Sequence, residues 1–225
     1  MQNKLNVIQP STSRFNGANW FTKNMPEVFI LGCGNIGSWV ALSLARMNCK
    51  LHIFDGDKIE PHNPGCQFYS KQDAGKFKNI ALYQNLINFS DNLNIQTYGF
   101  YNKESMINPI VFCCADTMEA RYTAFNKWKE QEDREIFLDS RNSAEMMEIY
   151  TVLKGDEKRY ERTLFPDSEG SDLPCNYKST NHCALISSGL MVSSFTNYLA
   201  NKNSGDAMRT VPFYILLEIP FFTYD

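Results

Sequence analysis

The chain has 225 residues, enough to bury one sizeable core. Its 22 basic and 25 acidic side chains leave a formal charge of -3, which argues against a nucleic-acid-binding surface as its main business. Its seven cysteines are an odd number for a disulfide framework, and they form no C-x-x-C pair of the kind that builds an ordinary structural zinc site.

No stretch of about 18 uninterrupted apolar residues occurs, so no membrane span is expected. The first residues, MQNKLNVIQPSTSRF, lack the apolar core of a secretory signal, and a cytoplasmic location is expected. Residues 1–25 are polar and aromatic without a strong period and read as an N-terminal arm; residues 26–225 read as a single domain. Val28–Cys33 is a short apolar run ending in glycines, suited to a buried parallel strand. Asn35–Asn48 has helical spacing, and Leu51–Asp55 is a second short strand ending in an acid. After a loop over 56–70, Gly75–Asn88 reads as a helix, Ile95–Phe100 as a strand, and Pro109–Cys114 as a buried strand. A helix is expected from Thr117 to about Lys129, with strands at Ile136–Asp139 and Met146–Leu153. Residues 154–182 show no clear period and read as a crossover loop. An apolar helix over Cys183–Leu199 and one or two strands over Val211–Phe222 complete the pattern. Alternation of strand and helix predicts an α/β fold: a Rossmann-like, doubly wound, mostly parallel sheet with helices on both faces and C-terminal strand additions.

The loop Gly32-Cys33-Gly34-Asn35-Ile36-Gly37 is G-x-G-x-x-G between a predicted strand and helix. The first glycine allows the tight turn, the second lets phosphates approach the backbone, and the third permits close helix–strand packing. The helix N-terminus beyond it offers N–H groups and a positive dipole to an anion. Asp55 ends the second strand where an acid binds ribose hydroxyls. On its own this loop does not separate users of NAD, FAD and ATP.

The segment FDGDKIEPHNPGCQFYSKQDAGKFK resembles the signature D-x-D-x-V-E-x-x-N-L-x-R-Q followed by G-x-x-K of the ThiF/MoeB/HesA-like, ubiquitin-activating-enzyme-like adenylyltransferases. The matches are Asp55, Asp57, Ile59, Glu60, Asn63 and Gln67, then Gly75 and Lys78. Farther on, ADTMEARYTAFN fits the family's D-x-x-x-x-R with Asp116 and Arg121. The resemblance covers about residues 28–130 well and the rest loosely. It implies that a carboxylate, often a polypeptide C-terminus, attacks the α-phosphate of ATP and expels pyrophosphate. Two anions must then be brought together, which calls for cations and positioned donors. By resemblance, Gly32, Gly34, Asn35, Ile36, Gly37, Asp55, Asp57, Asn63, Gln67 and Lys78 bind ATP. Lys78 and Asn63 face the phosphates, and Asp116 holds Mg2+. Two plainer readings stand beside these: Lys78 as a solvated helix lysine and Asp116 as a helix N-cap.

Where the family has arginine, this chain has Cys66. Arg14 is one substitute, since SRFNGANW resembles the family's N-terminal segment that reaches across a homodimer into the partner's site. Lys71 or Lys76 is another, and loss of catalysis with retained binding is a third. Cys66 itself reads as a filler. Some relatives capture the activated carboxylate on a cysteine in the crossover loop; Cys175, near Lys178 and His182, is the candidate here, ahead of Cys183, and ordinary loop packing is the alternative. RTLFPD stands where relatives carry zinc-binding cysteines, which speaks against a zinc requirement and matches short bacterial or phage-associated members. His52 reads as a packed strand residue, His62 as an exposed loop residue, and KEQEDRE (129–135) as a solvated helix end.

The function expected is an ATP-dependent adenylyltransferase activating the C-terminus of a ubiquitin-like or sulfur-carrier protein, as a homodimer, with no nucleic-acid or membrane partner. The alternatives are a catalytically degenerate nucleotide-binding scaffold and a NAD- or FAD-dependent Rossmann oxidoreductase.

Overall fold

The structure is a computed structural model that describes residues 10–91, 94–166 and 180–219. Its elements, in chain order, are β1 (Glu27–Leu31), α1 (Gly37–Arg46), β2 (Lys50–Phe54), α2 (Lys78–Leu86), β3 (Ile95–Tyr98), β4 (Ile110–Cys113), α3 (Met118–Lys129), β5 (Ile136–Ser143), β6 (Met146–Leu153), α4 (Glu157–Glu161), α5 (Asn181–Ser204) and β7 (Tyr214–Glu218). Strand order is β3-β2-β1-β4-β5-β6-β7. The pairs from β3 through β5 are parallel, while β5–β6 and β6–β7 are antiparallel. This is the Rossmann-like sheet expected, with its C-terminal strand additions.

The chain runs outward from β1 to β3 on one side and restarts at β4 on the other. The carboxyl ends of β1 and β4 therefore flank a topological switch point, where open α/β sheets bind ligands. The apolar strands β1, β2 and β4 are buried on both faces because helices cover both. One face packs under α1, α2 and α5, around Val40, Leu44, Leu82, Leu86, Met191 and Phe195. The other packs under α3 and α4, around Phe29, Val111, Phe125, Trp128, Phe137 and Tyr160.

Helix α5 has the length and apolarity of a membrane span, with a mean hydropathy of 1.2, but half of that window is buried. It lies against α1, β5 and β6, burying Ser187, Ser188 and Ser194 along with its apolar residues, as a core helix does. The expected period-free stretch after β6 contains a short helix, α4, on which the fully buried Tyr160 sits. The charges of 129–135 are not simply solvated: Lys129 pairs with Glu161 at 2.7 Å, Arg134 with Glu157 at 2.8 Å and Lys202 with Glu135 at 2.6 Å. They clip the end of α3 and the start of β5 to α4 and α5.

Candidate functional site

The glycine loop assembles as three glycines with three separate reasons. Gly32 has φ +89°, a left-handed value that favours glycine, and a Cβ there would lie 2.5 Å from the carbonyl oxygen of Cys114 after β4. Gly37 opens α1, and a Cβ on it would overlap the carbonyl of Gly32. A Cβ on Gly34 would meet nothing within 4 Å, so that side of the loop backbone is open. Asn35 and Ile36 carry the loop into α1, whose first N–H groups point toward the switch point.

Asp55, just past β2, is buried and holds the loop: its Oδ2 accepts the Cys33 N–H at 2.7 Å and its Oδ1 accepts the Asp57 N–H at 2.8 Å. A carboxylate has about four acceptor positions, so two remain for a ligand. Burial pushes its pKa up, opposed by the two backbone donors and by Lys78.

Lys78 begins α2. Its backbone N–H donates to the Asp57 carbonyl at 2.8 Å and its Nζ to Asp57 Oδ2 at 3.0 Å. The side chain is only 13% exposed, so Lys78 is not a solvated helix lysine. Burial opposes its charge, but the nearby carboxylates of Asp55, Asp57 and Asp116 outweigh that and raise its pKa. One largely buried ammonium thus sits among three acids, two of them exposed and able to turn toward a ligand.

Asp116 is not the N-cap of α3. Thr117 takes that role, its Oγ1 accepting the Ala120 N–H at 3.3 Å. The Asp116 carboxylate is exposed beside the carboxyl end of β4. Among the described residues no three acids, histidines or cysteines cluster as a ready-made metal cage. A single exposed carboxylate fits Mg2+, which is usually held by one or two carboxylates plus substrate phosphates.

Asn63 is buried; its Oδ1 accepts the Glu60 N–H at 2.9 Å, which leaves the amide nitrogen as the part able to donate to phosphate. Gln67 donates its backbone N–H to the Asn63 carbonyl at 2.9 Å. It lines a groove of about 420 Å3 with Trp39, Phe68 and Asn85, and its Oε1 is buried without a hydrogen-bond partner.

Cys66 is half-buried, its thiol donating to the Asn63 carbonyl at 3.8 Å while its own carbonyl accepts from the Trp39 indole at 3.0 Å. Burial raises its pKa, as expected of a filler. Lys76 is committed to Asp73 at 2.8 Å. Arg14 lies on a 3-10 turn, Ser11–Phe15, whose Ser11 is bound to Asp91 at the end of the sheet where strands begin. That turn is thus at the end of the sheet opposite the glycine loop, which follows the carboxyl end of β1.

Cys175 and Lys178 lie outside the described residues. Cys183 is fully buried in the first turn of α5, a packing position rather than that of an accessible nucleophile. His52 is buried as expected, stacked on Phe29 at 4.5 Å and bonded to the Tyr98 hydroxyl at 2.9 Å, and His62 is exposed.

Sequence reading missed Tyr69, whose hydroxyl donates to the Cys33 carbonyl at 2.8 Å and lies 3.3 Å from that of Lys78, joining the glycine loop to α2. It lies two residues past the last matched position of the 55–67 block, and nothing local marks it.

The family model for the ThiF family matches residues 22–218. Ubiquitin-like modifier-activating enzyme 5 of Caenorhabditis elegans is 30% identical over 131 residues, covering 50% of this chain and 31% of that protein. The ATP-dependent ubiquitin transferase-like protein Cap2 of Escherichia coli is 32% identical over 85 residues, covering 36% of this chain and 14% of that protein. The chain therefore spans about a third or less of these relatives' lengths. Among solved structures, E. coli MccB with ATP aligns with a TM-score of 0.60 at 17% identity, over 81% of this chain and 57% of that one. PaaA aligns at 0.62 with 18% identity, over 88% and 62%. At those identities the likeness speaks for the fold.

Proposed function

Because the chain belongs to the ThiF family, we propose that it is an ATP-dependent adenylyltransferase that activates a carboxylate, the C-terminus of a ubiquitin-like or sulfur-carrier protein, as an acyl adenylate. The observation that carries this reading is the Lys78 ammonium, 13% exposed and framed by Asp57 at 3.0 Å and by Asp55 and Asp116, at the switch point beside the open Gly34 backbone. The names of the relatives agree with it: a ubiquitin-like modifier-activating enzyme, an ATP-dependent ubiquitin transferase-like protein, and MccB crystallised with ATP and with MccA.

In this reading the loop from Gly34 to Gly37 and the start of α1 receive the phosphates. Asp55 holds the ribose with its two remaining acceptor positions. The incoming carboxylate oxygen bonds to the α-phosphorus as the bond to the pyrophosphate oxygen breaks, and no proton has to move. Lys78 and the Asn63 amide offset charge on the phosphates, where fixed donors are worth most. Asp116 would hold Mg2+, which neutralises phosphate charge when bound.

Cys66 supports a second reading, a nucleotide-binding scaffold without catalysis, because it carries no cation and Lys76 is paired with Asp73, which leaves the exposed Lys71 as the substitute on this chain. A role for Arg14 requires a homodimer. The Lys78–Asp57 pair favours either reading over a dinucleotide oxidoreductase, which has no use for it.

The test is ATP–pyrophosphate exchange with Mg2+, alone and with carrier proteins ending in Gly-Gly. Exchange is expected, and Lys78→Ala or Asp116→Ala should lower it by about a hundredfold or more. Binding of Mg·ATP without exchange across the carriers supports the scaffold instead. No binding at all ends both readings.

A further inference from the structure

Leaving β3, the chain passes through Gly99 and sets the Phe100 ring directly on Gly56, the residue after Asp55. A Cβ at Gly56 would overlap three ring carbons of Phe100. Gly56 is not among the residues with positive φ, so contact with the ring, not backbone conformation, is what requires glycine there. Its neighbours in sequence turn inward: Tyr98 stacks on Phe54 at 4.5 Å and Tyr101 meets the same ring edge-on at 5.4 Å. Phe100 instead stays 68% exposed, the most exposed of the large hydrophobic side chains among the described residues. Aromatic surface is thus seated on backbone on one side and left open to solvent, within one residue of the acid proposed to hold a ribose.

We propose that Phe100, cradled on Gly56, is the platform on which the adenine of the bound nucleotide stacks, and that it sets the preference for a purine base. The inference rests on the nucleotide reading above and adds to it the residue that recognises the base. A base joined to a ribose at Asp55 begins about one sugar's width from that carboxylate, and the Phe100 ring rests on the very next residue, Gly56. Stacking is insensitive to the base's hydrogen-bonding edge but grows with its area, so ATP gains more from the ring than CTP. A bare phosphate chain gains nothing.

Calorimetric titration of wild type, Phe100→Ala, Phe100→Trp and Gly56→Ala with ATP, CTP and tripolyphosphate, all with Mg2+, tests this. Wild type should bind ATP more tightly than CTP or tripolyphosphate. Phe100→Ala should weaken ATP about tenfold and leave tripolyphosphate unchanged, and Phe100→Trp should restore ATP. Gly56→Ala, which displaces the ring, should repeat the alanine result. Because Phe100 is exposed, thermal midpoints of its variants should match wild type, separating binding from folding. If Phe100→Ala keeps the full preference for ATP, the platform is wrong while the phosphate site stands. If wild type binds none of the three ligands, the nucleotide reading fails and the platform fails with it.

Discussion

The carboxylate of Asp55 accepts the backbone N–H of Cys33 at 2.7 Å, tying the carboxyl end of β2 to the glycine loop that follows β1. Its other oxygen takes the Asp57 N–H at 2.8 Å, so one buried side chain fixes two backbone segments that shape the crevice. Each donor would be left without its partner by removal of the carboxylate, at about 1–3 kcal/mol apiece. Asp55→Ala should therefore lose about 2–4 kcal/mol in urea denaturation and bind ATP poorly. Asp55→Asn keeps one acceptor oxygen and should lose about half as much. Asp55→Ala with wild-type stability would refute this account of the loop.

Asp73 predicts a pH dependence. It receives the Ser70 N–H and hydroxyl and the Lys76 ammonium, each at 2.8 Å, and the Asn85 amide at 3.3 Å. Burial pushes its pKa up, but these donors outweigh burial and hold the carboxyl well below the usual carboxylate range. A folded value below the unfolded one, about 3.9, means stability that is present above pH ~4 and lost as pH falls below it. Lys76 is 46% exposed, so the ion pair itself contributes little. Asp73→Asn should lower stability at pH 7 by about 1–2 kcal/mol and flatten its decline below pH 4, while Lys76→Ala should change it by about 0.5 kcal/mol or less. Thermal melts across pH 2–7 measure both; parallel curves for Asp73→Asn and wild type would contradict the assignment.

The βαβ unit was legible because each of its glycines has a distinct steric task, and spacing alone records those tasks. Strand β6 is readable to the residue from its β-branched and aromatic run, although it is buried on both faces, with Met147 and Ile149 in one core and Tyr150 and Val152 in the other. What the sequence hid is tertiary. Nothing local distinguishes Asp116 from Thr117 as cap, because both are good caps and the direction in which the chain leaves β4 decides. The site role of Tyr69 depends on two backbone carbonyls, 36 and 9 residues distant in the chain. Phe100 reads in sequence as the last residue of a strand, whereas β3 ends at Tyr98, and only the fold brings the ring onto Gly56.

Asp139 gives the strongest stability prediction. Fully buried on β5, it accepts Arg121 Nε at 2.9 Å on one oxygen, and Arg141 Nε at 2.8 Å and the Tyr160 hydroxyl at 2.9 Å on the other. Arg121 also donates to the carbonyls of Thr117 and Ser140, at 3.3 and 3.0 Å. Arg141 donates to the Thr163 carbonyl at 2.8 Å. The network joins the residue after Asp116 to β5, α4 and the chain beyond α4. Asp139→Ala strands two largely buried guanidinium groups and should cost about 3–5 kcal/mol by urea denaturation. A buried ionic cluster is costly to break yet often replaceable as a whole. The triple variant Asp139→Leu, Arg121→Met, Arg141→Met should therefore be more stable than Asp139→Ala alone, despite carrying two more substitutions. A triple variant less stable than the single one would mean that the arginines hold Thr117, Ser140 and Thr163 by themselves, with Asp139 a minor partner.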